Sequence, residues 1–268
     1  MKKLIITGMP RSGTSWLGQI INSSPTVSFR TEPLFSYRFK NILNINSNGE
    51  EINNFFDRLI NIDDDFILQN DKVSKGHYPA FDKTSHEILA FKTTRHFELL
   101  ELYLESVKDI EIIAIIRHPC AVINSWFHSY REFEKKGCNK MHDWRTGQCR
   151  KNNETGEYWG FNDWIASTKL FLKLEKKYTN FHIVRYSSLV ENTEKQTKDL
   201  FNKVGITVTE QTLEFIKNCH KHHDHNPYSV FKSKSVLNQW ENSLEDFIKE
   251  EILLEVREER LEELINDN

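Results

Sequence analysis

The feature that most constrains the fold is a short apolar run that ends in a glycine-containing loop. Residues 4–6 read Leu-Ile-Ile, and the loop at residues 8–13 carries one arginine and is followed by hydroxyl residues. Apolar residues at helical spacing come next, including Leu17 and Ile21. A loop between a buried parallel strand and a helix N-terminus presents free backbone N–H groups, which bind anions. The pattern predicts a phosphate-binding loop.

The spacing of Gly8 and Gly13 imitates the Walker A loop of nucleotide triphosphatases. Thr14 stands where that motif has the lysine that reaches the β- and γ-phosphates. A kinase with this loop would also need a magnesium-binding aspartate at a strand end, but Arg117 follows the apolar run 112–116. A P-loop kinase that uses ATP is therefore the less favoured alternative.

A second basic residue follows that second apolar run. Arg117 comes directly after residues 112–116, and Ser125 lies eight positions further on. Eight residues are about two turns of the helix that is predicted next. Both side chains can converge on one phosphate, the arginine through bidentate hydrogen bonds and the serine through its hydroxyl. The sequence thus predicts two anion sites.

Five apolar runs have strand character and alternate with helical patterns. The runs are 3–6, 26–29, 88–91, 112–116 and 181–184, and the helical patterns include 97–107, 121–134 and 164–178. This alternation predicts an α/β fold of three layers, with a central parallel sheet and helices on both faces. Ligands of such sheets bind at the carboxyl ends of the strands. Arg11, Lys92 and Arg117 fall there.

The 268 residues are expected to form a single domain, residues 1–268. A polar segment at 135–160 contains several glycines and lacks sustained periodicity, so it is interpreted as a surface insertion over the site. The acidic segment at 243–265 has apolar residues at helical spacing and is interpreted as one or two surface helices with a solvated charged face.

Composition and charge exclude several classes of protein. The net charge of −3 implies no general attraction to nucleic acid. No apolar stretch approaches the roughly 20 residues of a membrane-spanning helix, and the N-terminal apolar run is too short for a signal peptide. The four cysteines lack CxxC spacing and are interpreted as reduced thiols of a cytoplasmic protein, although Cys138 and Cys149 could pair on oxidation.

The loop from Gly8 to Leu17, Gly-Met-Pro-Arg-Ser-Gly-Thr-Ser-Trp-Leu, resembles the 5′-phosphosulfate loop of sulfotransferases that use 3′-phosphoadenosine 5′-phosphosulfate (PAPS). The arginine and serine at 117 and 125 resemble the 3′-phosphate site of the same family. This resemblance covers about residues 3–240 and implies the P-loop-like sulfotransferase fold. It implies PAPS as co-substrate, 3′-phosphoadenosine 5′-phosphate (PAP) as product and a hydroxyl-bearing acceptor, with no metal.

The resemblance also implies roles for individual residues. The 5′-phosphosulfate would be bound by the loop residues Arg11, Ser12, Gly13, Thr14 and Ser15. The remaining contacts to the nucleotide would come from Arg117, Ser125, Tyr186 and Lys234, of which Tyr186 lies on the adenine side. Ser233 would approach the sulfuryl group. Arg11 stands where the cytosolic enzymes have lysine and where the tyrosylprotein and many carbohydrate enzymes have arginine, which favours the second branch.

The general base is the point at which the sequence departs from the cytosolic enzymes. Those enzymes have a Lys-Thr-His in which the histidine is the base, but here Lys92 is followed by Thr93 and Thr94. Threonine cannot accept a proton near neutral pH. The resemblance to the tyrosylprotein and carbohydrate enzymes instead implies Glu32, which lies 21 residues after Arg11.

Two readings of Glu32 stay open. As a base, its pKa would be raised by partial burial and lowered by the neighbouring cations. As a structural residue, it would cap the helical turn that begins at Pro33. The Glu-Pro-Leu sequence resembles the carbohydrate enzymes in particular. His96 is a rival base.

The sequence therefore predicts transfer of the sulfuryl group of PAPS to an acceptor hydroxyl. Glu32 would take the proton, while Arg11, Lys92 and Ser233 would stabilise charge between donor and acceptor. A carbohydrate acceptor is favoured, and a phenol or a peptide also fits. A non-catalytic PAP-binding protein is a further alternative. The histidine-rich segment 220–225 could ligate a metal by composition, but it lacks a distant partner residue, so no metal site is expected.

Overall fold

Five parallel strands form one central sheet in the computed structural model, which describes residues 1–151, 155–221, 224, 226 and 229–265. The strands are β1 (Lys2–Thr7), β2 (Val27–Thr31), β3 (Ile88–Thr93), β4 (Ile110–Ile116) and β5 (Phe181–Arg185). Their order across the sheet is β2-β3-β1-β4-β5. All five predicted strands are confirmed.

Helices connect the strands and cover both faces of the sheet. The described α-helices are α1 (Thr14–Asn22), α2 (Gly49–Ile60), α3 (Asp65–Leu68), α4 (Asn70–Ser74), α5 (Leu100–Ser106), α6 (Pro119–Phe127), α7 (Lys140–Thr146), α8 (Gln148–Lys151), α9 (Phe161–Lys177), α10 (Tyr186–Glu191), α11 (Thr193–Val204), α12 (Glu210–Asn218), α13 (Gln239–Ser243) and α14 (Asp246–Glu258). Short 3-10 helices lie at Pro33–Phe35, Phe97–Leu99, Glu134–Lys136, Lys234–Leu237 and Glu262–Leu264.

The alternation of side chains along the strands divides the core into two parts. Ile5 and Phe91 belong to one part, which also contains buried residues of α2, α5, α6, α9 and α14. Leu4 and Ala90 belong to the other part, which α1, α10, α11 and α12 cover. Because helices cover both faces, β4 is apolar at every position except Glu111. This is the predicted three-layer α/β fold.

The helix predicted over 121–134 ends earlier than the apolar pattern suggested. α6 stops at Phe127, and the following residues form turns. The ring of His128 donates its Nδ1–H to the carbonyl of Asn124 at 2.8 Å, and the indole of Trp126 donates to the carbonyl of Glu132 at 3.0 Å. These side chains satisfy backbone carbonyls where the helix would otherwise have to continue.

The polar insertion at 135–160 has more internal structure than the sequence suggested. It contains α7 and α8, and Trp144 and Trp159 are buried. A disulfide joins Cys138 to Cys149, because α7 reverses the chain between them and leaves their Cα atoms 5.4 Å apart. The prediction of four reduced thiols is therefore wrong for this pair, whereas the other two cysteines are free and buried.

The C-terminal segment predicted at 243–265 is not only a surface element. In α14, Ile248, Ile252 and Val256 follow one another at four-residue spacing and are completely buried. They belong to the same core part as Ile5 of the sheet. Only the opposite face of the helix is solvated. Within the described residues, no helix combines the length and the apolar character that a bilayer span requires.

Removing one of these α14 side chains should cost as much as removing a central core residue. We expect Ile252→Ala to lower the free energy of unfolding by about 2–5 kcal/mol, because a fully buried side chain leaves a cavity. Leu254→Ala, two residues away and 57% exposed, is the matched control and should change it by less than about 0.5 kcal/mol. Urea denaturation of both variants measures the difference, and equal effects would contradict the docking of α14.

Candidate active site

A cavity of about 810 Å³ lies at the carboxyl edge of the sheet, where the predicted site residues were expected. The strand order divides this cavity into two halves. On one side, β1 leads into the glycine loop, β4 into Arg117 and β5 into Tyr186. The strands β2 and β3 at the other side lead into Glu32 and end with Lys92 and Thr93. Most of the predicted residues therefore meet in one place.

Basic side chains outnumber acidic ones among the described residues that line this cavity. The nine basic residues are Arg11, Lys72, Lys92, Arg95, Arg117, Arg131, Lys136, Arg150 and Lys232. The four acidic residues are Glu32, Asp65, Asp71 and Glu132. The chain as a whole has a net charge of −3. The attraction for anions is therefore local, as the sequence required.

The glycine loop delivers the first turn of α1 to the cavity. Gly13 precedes the helix with φ 92°, and a Cβ at this position would lie 2.5 Å from the ring of Tyr186. Thr14 and Ser15 line the cavity from the first turn, whose N–H groups have no partner within the helix. Ser12 does not line it, because its side chain is buried beneath the loop, where its hydroxyl has no hydrogen-bond partner among the described residues.

Arg117 connects the two predicted anion sites. Its two terminal nitrogens donate to the carbonyls of Arg11 and Val236, both at 3.0 Å, and its guanidinium lies 4.6 Å from the ring centroid of Tyr186. The Nε of Arg117 is buried and has no partner among the described residues. Burial lowers the pKa of Arg117, but an arginine keeps its charge at any physiological pH. The guanidinium therefore has donor capacity left for an anion.

The side chain of Arg11 lies at the second anion site. Its Nε donates to the hydroxyl of Ser125 at 3.1 Å, and the backbone of Arg11 has φ 72°. Arg117 and Ser125 both line the cavity and both contact Arg11, since Arg117 donates to the carbonyl of Arg11 and Ser125 accepts from its Nε. That they bind one phosphate together stays a prediction.

The closing segment near residue 233 is arranged differently from the prediction. Ser233 shares a hydrogen bond of 2.6 Å with Ser235, and Lys234 donates to the carbonyl of Glu191 at 2.9 Å. Neither side chain lines the cavity, because the 3-10 helix that begins at Lys234 directs that lysine toward α10. Lys232 lines the cavity instead. The segment predicted from the sequence therefore reaches the cavity through Lys232, whereas Lys234 lies outside it.

Glu32 follows the edge strand β2 and is held by the end of β3 and the residues after it. Its backbone N–H donates to the carbonyl of Lys92 at 2.7 Å, so the pairing of β2 with β3 positions both side chains. The carboxylate accepts hydrogen bonds from the Thr94 backbone at 3.0 Å, the Thr94 hydroxyl at 2.7 Å and the Thr93 hydroxyl at 3.3 Å. It also forms ion pairs with Lys92 at 3.1 Å and with Arg95 at 3.6 Å.

The first question about Glu32 is whether burial or the neighbouring cations determine the pKa of its carboxyl. Burial alone would raise the pKa of this carboxyl, but the charges of Lys92 and Arg95 and the hydrogen bond from Thr94 outweigh burial and lower the pKa to about 2. The second question concerned capping. The carboxylate makes no capping hydrogen bond to the turn Pro33–Phe35. Its contacts are with Thr93, Thr94 and the two cations.

Lys92 lies between the two halves of the cavity. Its Nζ is 3.1 Å from the carboxylate of Glu32 and 3.5 Å from the hydroxyl of Ser15 in the glycine loop. Thr94, which stands where the cytosolic enzymes have histidine, holds Glu32 instead of acting on an acceptor. His96 pairs with Glu98 at 3.1 Å and does not line the cavity.

Part of the histidine-rich segment can also be placed. His220 lines the cavity and donates its Nδ1–H to the carbonyl of Lys232 at 2.7 Å. His222, His223 and His225 lie outside the described residues. Among the described residues, the group of metal-binding type is Cys138, Asp143 and Cys149. Both of its sulfurs are engaged in the disulfide and are not available as thiolate ligands.

Several cavity residues were not found from the sequence. Arg95 contacts Glu32, donates to Glu157 at 2.5 Å and lies 3.8 Å from the ring centroid of Phe35. Its position directly after the Lys-Thr-Thr stretch was a usable signal. Lys72, in contrast, belongs to the short polar helix α4, which has no apolar periodicity and no motif.

Comparison with known proteins extends these observations. Residues 3–210 match a family model described as the sulfotransferase family. Comparison with curated proteins gives no match. The solved structure of mouse sulfotransferase SULT7A1 complexed with PAP is similar at a TM-score of 0.60 and 17% identity, over 96% of this chain and 83% of that one.

Two bacterial structures are similar over nearly their whole length. The sulfotransferase domain of the Synechococcus PCC 7002 olefin synthase has a TM-score of 0.56 and 14% identity, over 96% of this chain and 94% of that one. The sulfotransferase from Alicyclobacillus acidocaldarius has a TM-score of 0.54 and 14% identity, over 100% and 97%. At such low identity these likenesses show the fold.

The glycine loop provides a test of the site geometry. We expect Gly13→Ala to lower the free energy of unfolding by at least about 1 kcal/mol more than Gly137→Ala. Both glycines have a positive φ, but only at Gly13 would the new methyl group collide with the ring of Tyr186, whereas nothing lies within 4 Å at Gly137. Equal losses in urea denaturation would show that Tyr186 does not pack on the loop.

Proposed function

The chain belongs to the sulfotransferase family, which confirms the enzyme class predicted from its two anion-binding motifs, and we propose that it transfers the sulfuryl group of PAPS to an acceptor hydroxyl. The observation that supports this best is the division of one cavity into two halves. Anion-binding groups follow β1, β4 and β5, and a carboxylate with a lysine follows β2 and β3.

Unsatisfied donors on one half of the cavity support a nucleotide with two anionic ends. The 5′-phosphosulfate would be bound by the first turn of α1 with Arg11, Thr14 and Ser15. The 3′-phosphate would be bound by Arg117, whose terminal nitrogens each keep a second N–H, and by Ser125. Tyr186 would support the adenine side. Ser233 and Lys234 have other hydrogen-bond partners, so we leave them out of the proposed contacts.

Lys92 and Arg11 would stabilise the charge that develops as the sulfuryl group leaves the nucleotide. Charge grows on the bridging oxygen in such a displacement, and preorganised cations lower its energy most effectively there. Lys92 lies close to both Ser15 of the glycine loop and Glu32. It is therefore suited to act between the donor and the acceptor.

Glu32 is the proton acceptor that we propose for the acceptor hydroxyl. With Lys92 bound, its pKa of about 2 makes it a weak base. When Lys92 turns toward the sulfuryl group, the carboxylate loses a coulombic partner and its pKa rises. Binding of PAPS would thus raise the pKa of Glu32 and make it a stronger base. This order also keeps the buried carboxylate paired until a substrate is present.

A carbohydrate is the acceptor class that we favour, with a phenol or a peptide as alternatives. Phe35 and Phe66 are partly exposed and line the cavity, and Asp65 and Gln69 lie on the same wall. Aromatic faces with a few polar groups are typical of small-molecule sites.

We also propose that the chain forms one domain, because α14 shares a core with the sheet. The cytoplasmic location stays a prediction.

Comparison of two nucleotides tests the half of the cavity that follows β1, β4 and β5. PAP should raise the melting temperature more than adenosine 5′-phosphate, because a ligand that binds only the folded state stabilises it and PAP has one more phosphate to bind. Arg117→Ala should reduce PAP affinity by about tenfold or more and should weaken adenosine 5′-phosphate less, because only PAP has the 3′-phosphate. Equal shifts by the two nucleotides would contradict a 3′-phosphate site.

The acceptor half is tested by Glu32→Gln. We expect turnover to fall by roughly two to four orders of magnitude, since the amide cannot take a proton, while PAP affinity stays nearly intact. Glu98→Gln is the control, because it neutralises a partly buried carboxylate that does not line the cavity. Single-turnover sulfation and PAP binding measured together separate the outcomes. Near-normal turnover in Glu32→Gln would eliminate Glu32 as the base. If the wild type binds PAP but sulfates no acceptor, a non-catalytic PAP-binding protein is favoured instead.

A further inference from the structure

The acceptor half of the cavity contains a lysine that the family motifs do not include. Lys72 lies on α4, which follows α3, and α3 packs beside β2 at the edge of the sheet. Its Nζ donates to the hydroxyl of Tyr78 at 3.2 Å and lies 4.7 Å from the centroid of that ring. Lys72 therefore lines the cavity from the side of β2, the strand that leads into Glu32, and the charge of Glu32 acts on it.

The charge of Lys72 is poorly compensated by its described neighbours. The described groups whose charges act on it are Glu32, Glu132, Arg131 and Arg11. Glu32 forms its close ion pair with Lys92 at 3.1 Å, and the described contacts include no ion pair between Lys72 and a carboxylate. Burial, opposed in part by Glu32, lowers the pKa of Lys72 to about 8. Lys72 is half-buried, and a partly desolvated ammonium without a close counterion is unfavourable, so an anion that enters the cavity would be attracted to it.

Other cations continue this positive surface away from the nucleotide groups. Arg131 follows α6, and Lys136 and Arg150 come from the insertion, so two further segments contribute basic residues to the cavity lining. The two phosphate groups of PAP are already matched by Arg11, Arg117 and the first turn of α1. Without Arg11 and Arg117, the described lining of the cavity still has seven basic residues against four acidic ones, so positive charge remains beyond the two arginines proposed for the nucleotide.

We propose that the acceptor carries an anionic group, a carboxylate or a phosphate, which Lys72 binds while the acceptor hydroxyl faces Glu32 and Lys92. This inference rests on the proposed sulfuryl transfer and narrows its acceptor class. Phe35 and Phe66 line the same wall and contact each other at a centroid distance of 6.0 Å, so they would support the uncharged body of the acceptor. The favoured acceptor is thus an acidic or phosphorylated sugar rather than a neutral one.

The test uses the PAP-loaded protein, because PAP blocks the nucleotide sites against free anions. Glucuronate, glucose 6-phosphate and glucose are titrated by calorimetry, and glucose is the neutral control. We expect the two anionic sugars to bind about tenfold or more tightly than glucose. Lys72→Met should remove this preference, whereas Lys72→Arg should retain it. Lys75→Met, an exposed lysine on the turn after α4 that pairs with Asp71, is the matched control and should behave as wild type.

The pH dependence gives a second readout that a merely structural role would not produce. Affinity for glucuronate should fall as the pH rises from about 7 to 9 in the wild type, because Lys72 loses its proton in this range. In Lys72→Arg it should stay constant, since arginine remains charged. Equal affinity for glucose and glucuronate, or an anion preference that survives in Lys72→Met, would overturn the proposal.

Two comparisons separate this inference from the proposed function. If Lys72 binds the sulfuryl group instead, Lys72→Met will weaken PAPS binding relative to PAP and leave the sugar preference unchanged, which also overturns the proposal. If PAP itself fails to stabilise the protein, the proposed function fails. Anion binding by the free protein and its loss in Lys72→Met, but not in Lys75→Met, would still report on the Lys72 site.

Discussion

The ion pair between Glu32 and Lys92 organises the carboxyl edge of the sheet. A carboxylate buried among apolar strands is tolerated only when charges and hydrogen bonds compensate it. The end of β3 provides this compensation to Glu32, with ion pairs from Lys92 and Arg95 and hydrogen bonds from Thr93 and Thr94. Because Thr31 of β2 pairs with Lys92 of β3, the side chains of Glu32 and Lys92 lie next to each other at the ends of adjacent strands. The same interaction that stabilises the edge therefore positions the proposed base.

Arg95 extends this network to the insertion. Its Nε donates to Glu157, whose other oxygen accepts from the indole of Trp159 at 2.8 Å. Arg150 approaches the same carboxylate at 3.8 Å. The disulfide between Cys138 and Cys149 closes the loop that carries α7. The ion pair of Arg95 with Glu157 thus fixes the insertion to the carboxyl edge of the sheet, and the disulfide cross-links the insertion internally. The insertion forms a wall of the cavity rather than a loose surface loop.

Residues in motifs were predictable because their roles depend on local chain geometry. A loop between a strand and a helix must present the first turn of α1, and an arginine directly after β4 must lie at the carboxyl edge. Residues without a motif were not predictable. Lys72 reaches the cavity because α3, which precedes α4, packs beside β2. Lys234 lies outside the cavity because its side chain contacts the carbonyl of Glu191. Similarly, the buried face of α14 required the tertiary contacts.

The sequence by itself determined the five strands, the three-layer arrangement and the sulfotransferase family, because these depend on apolar periodicity and on short motifs at strand ends. Only the tertiary structure decided the balance of charges at the site. Burial raises the pKa of a carboxyl and nearby cations lower it, and their relative size depends on distances that no spacing in the chain gives. For Glu32 the cations prevail, since Lys92 and Arg95 lie within 4 Å of its oxygens.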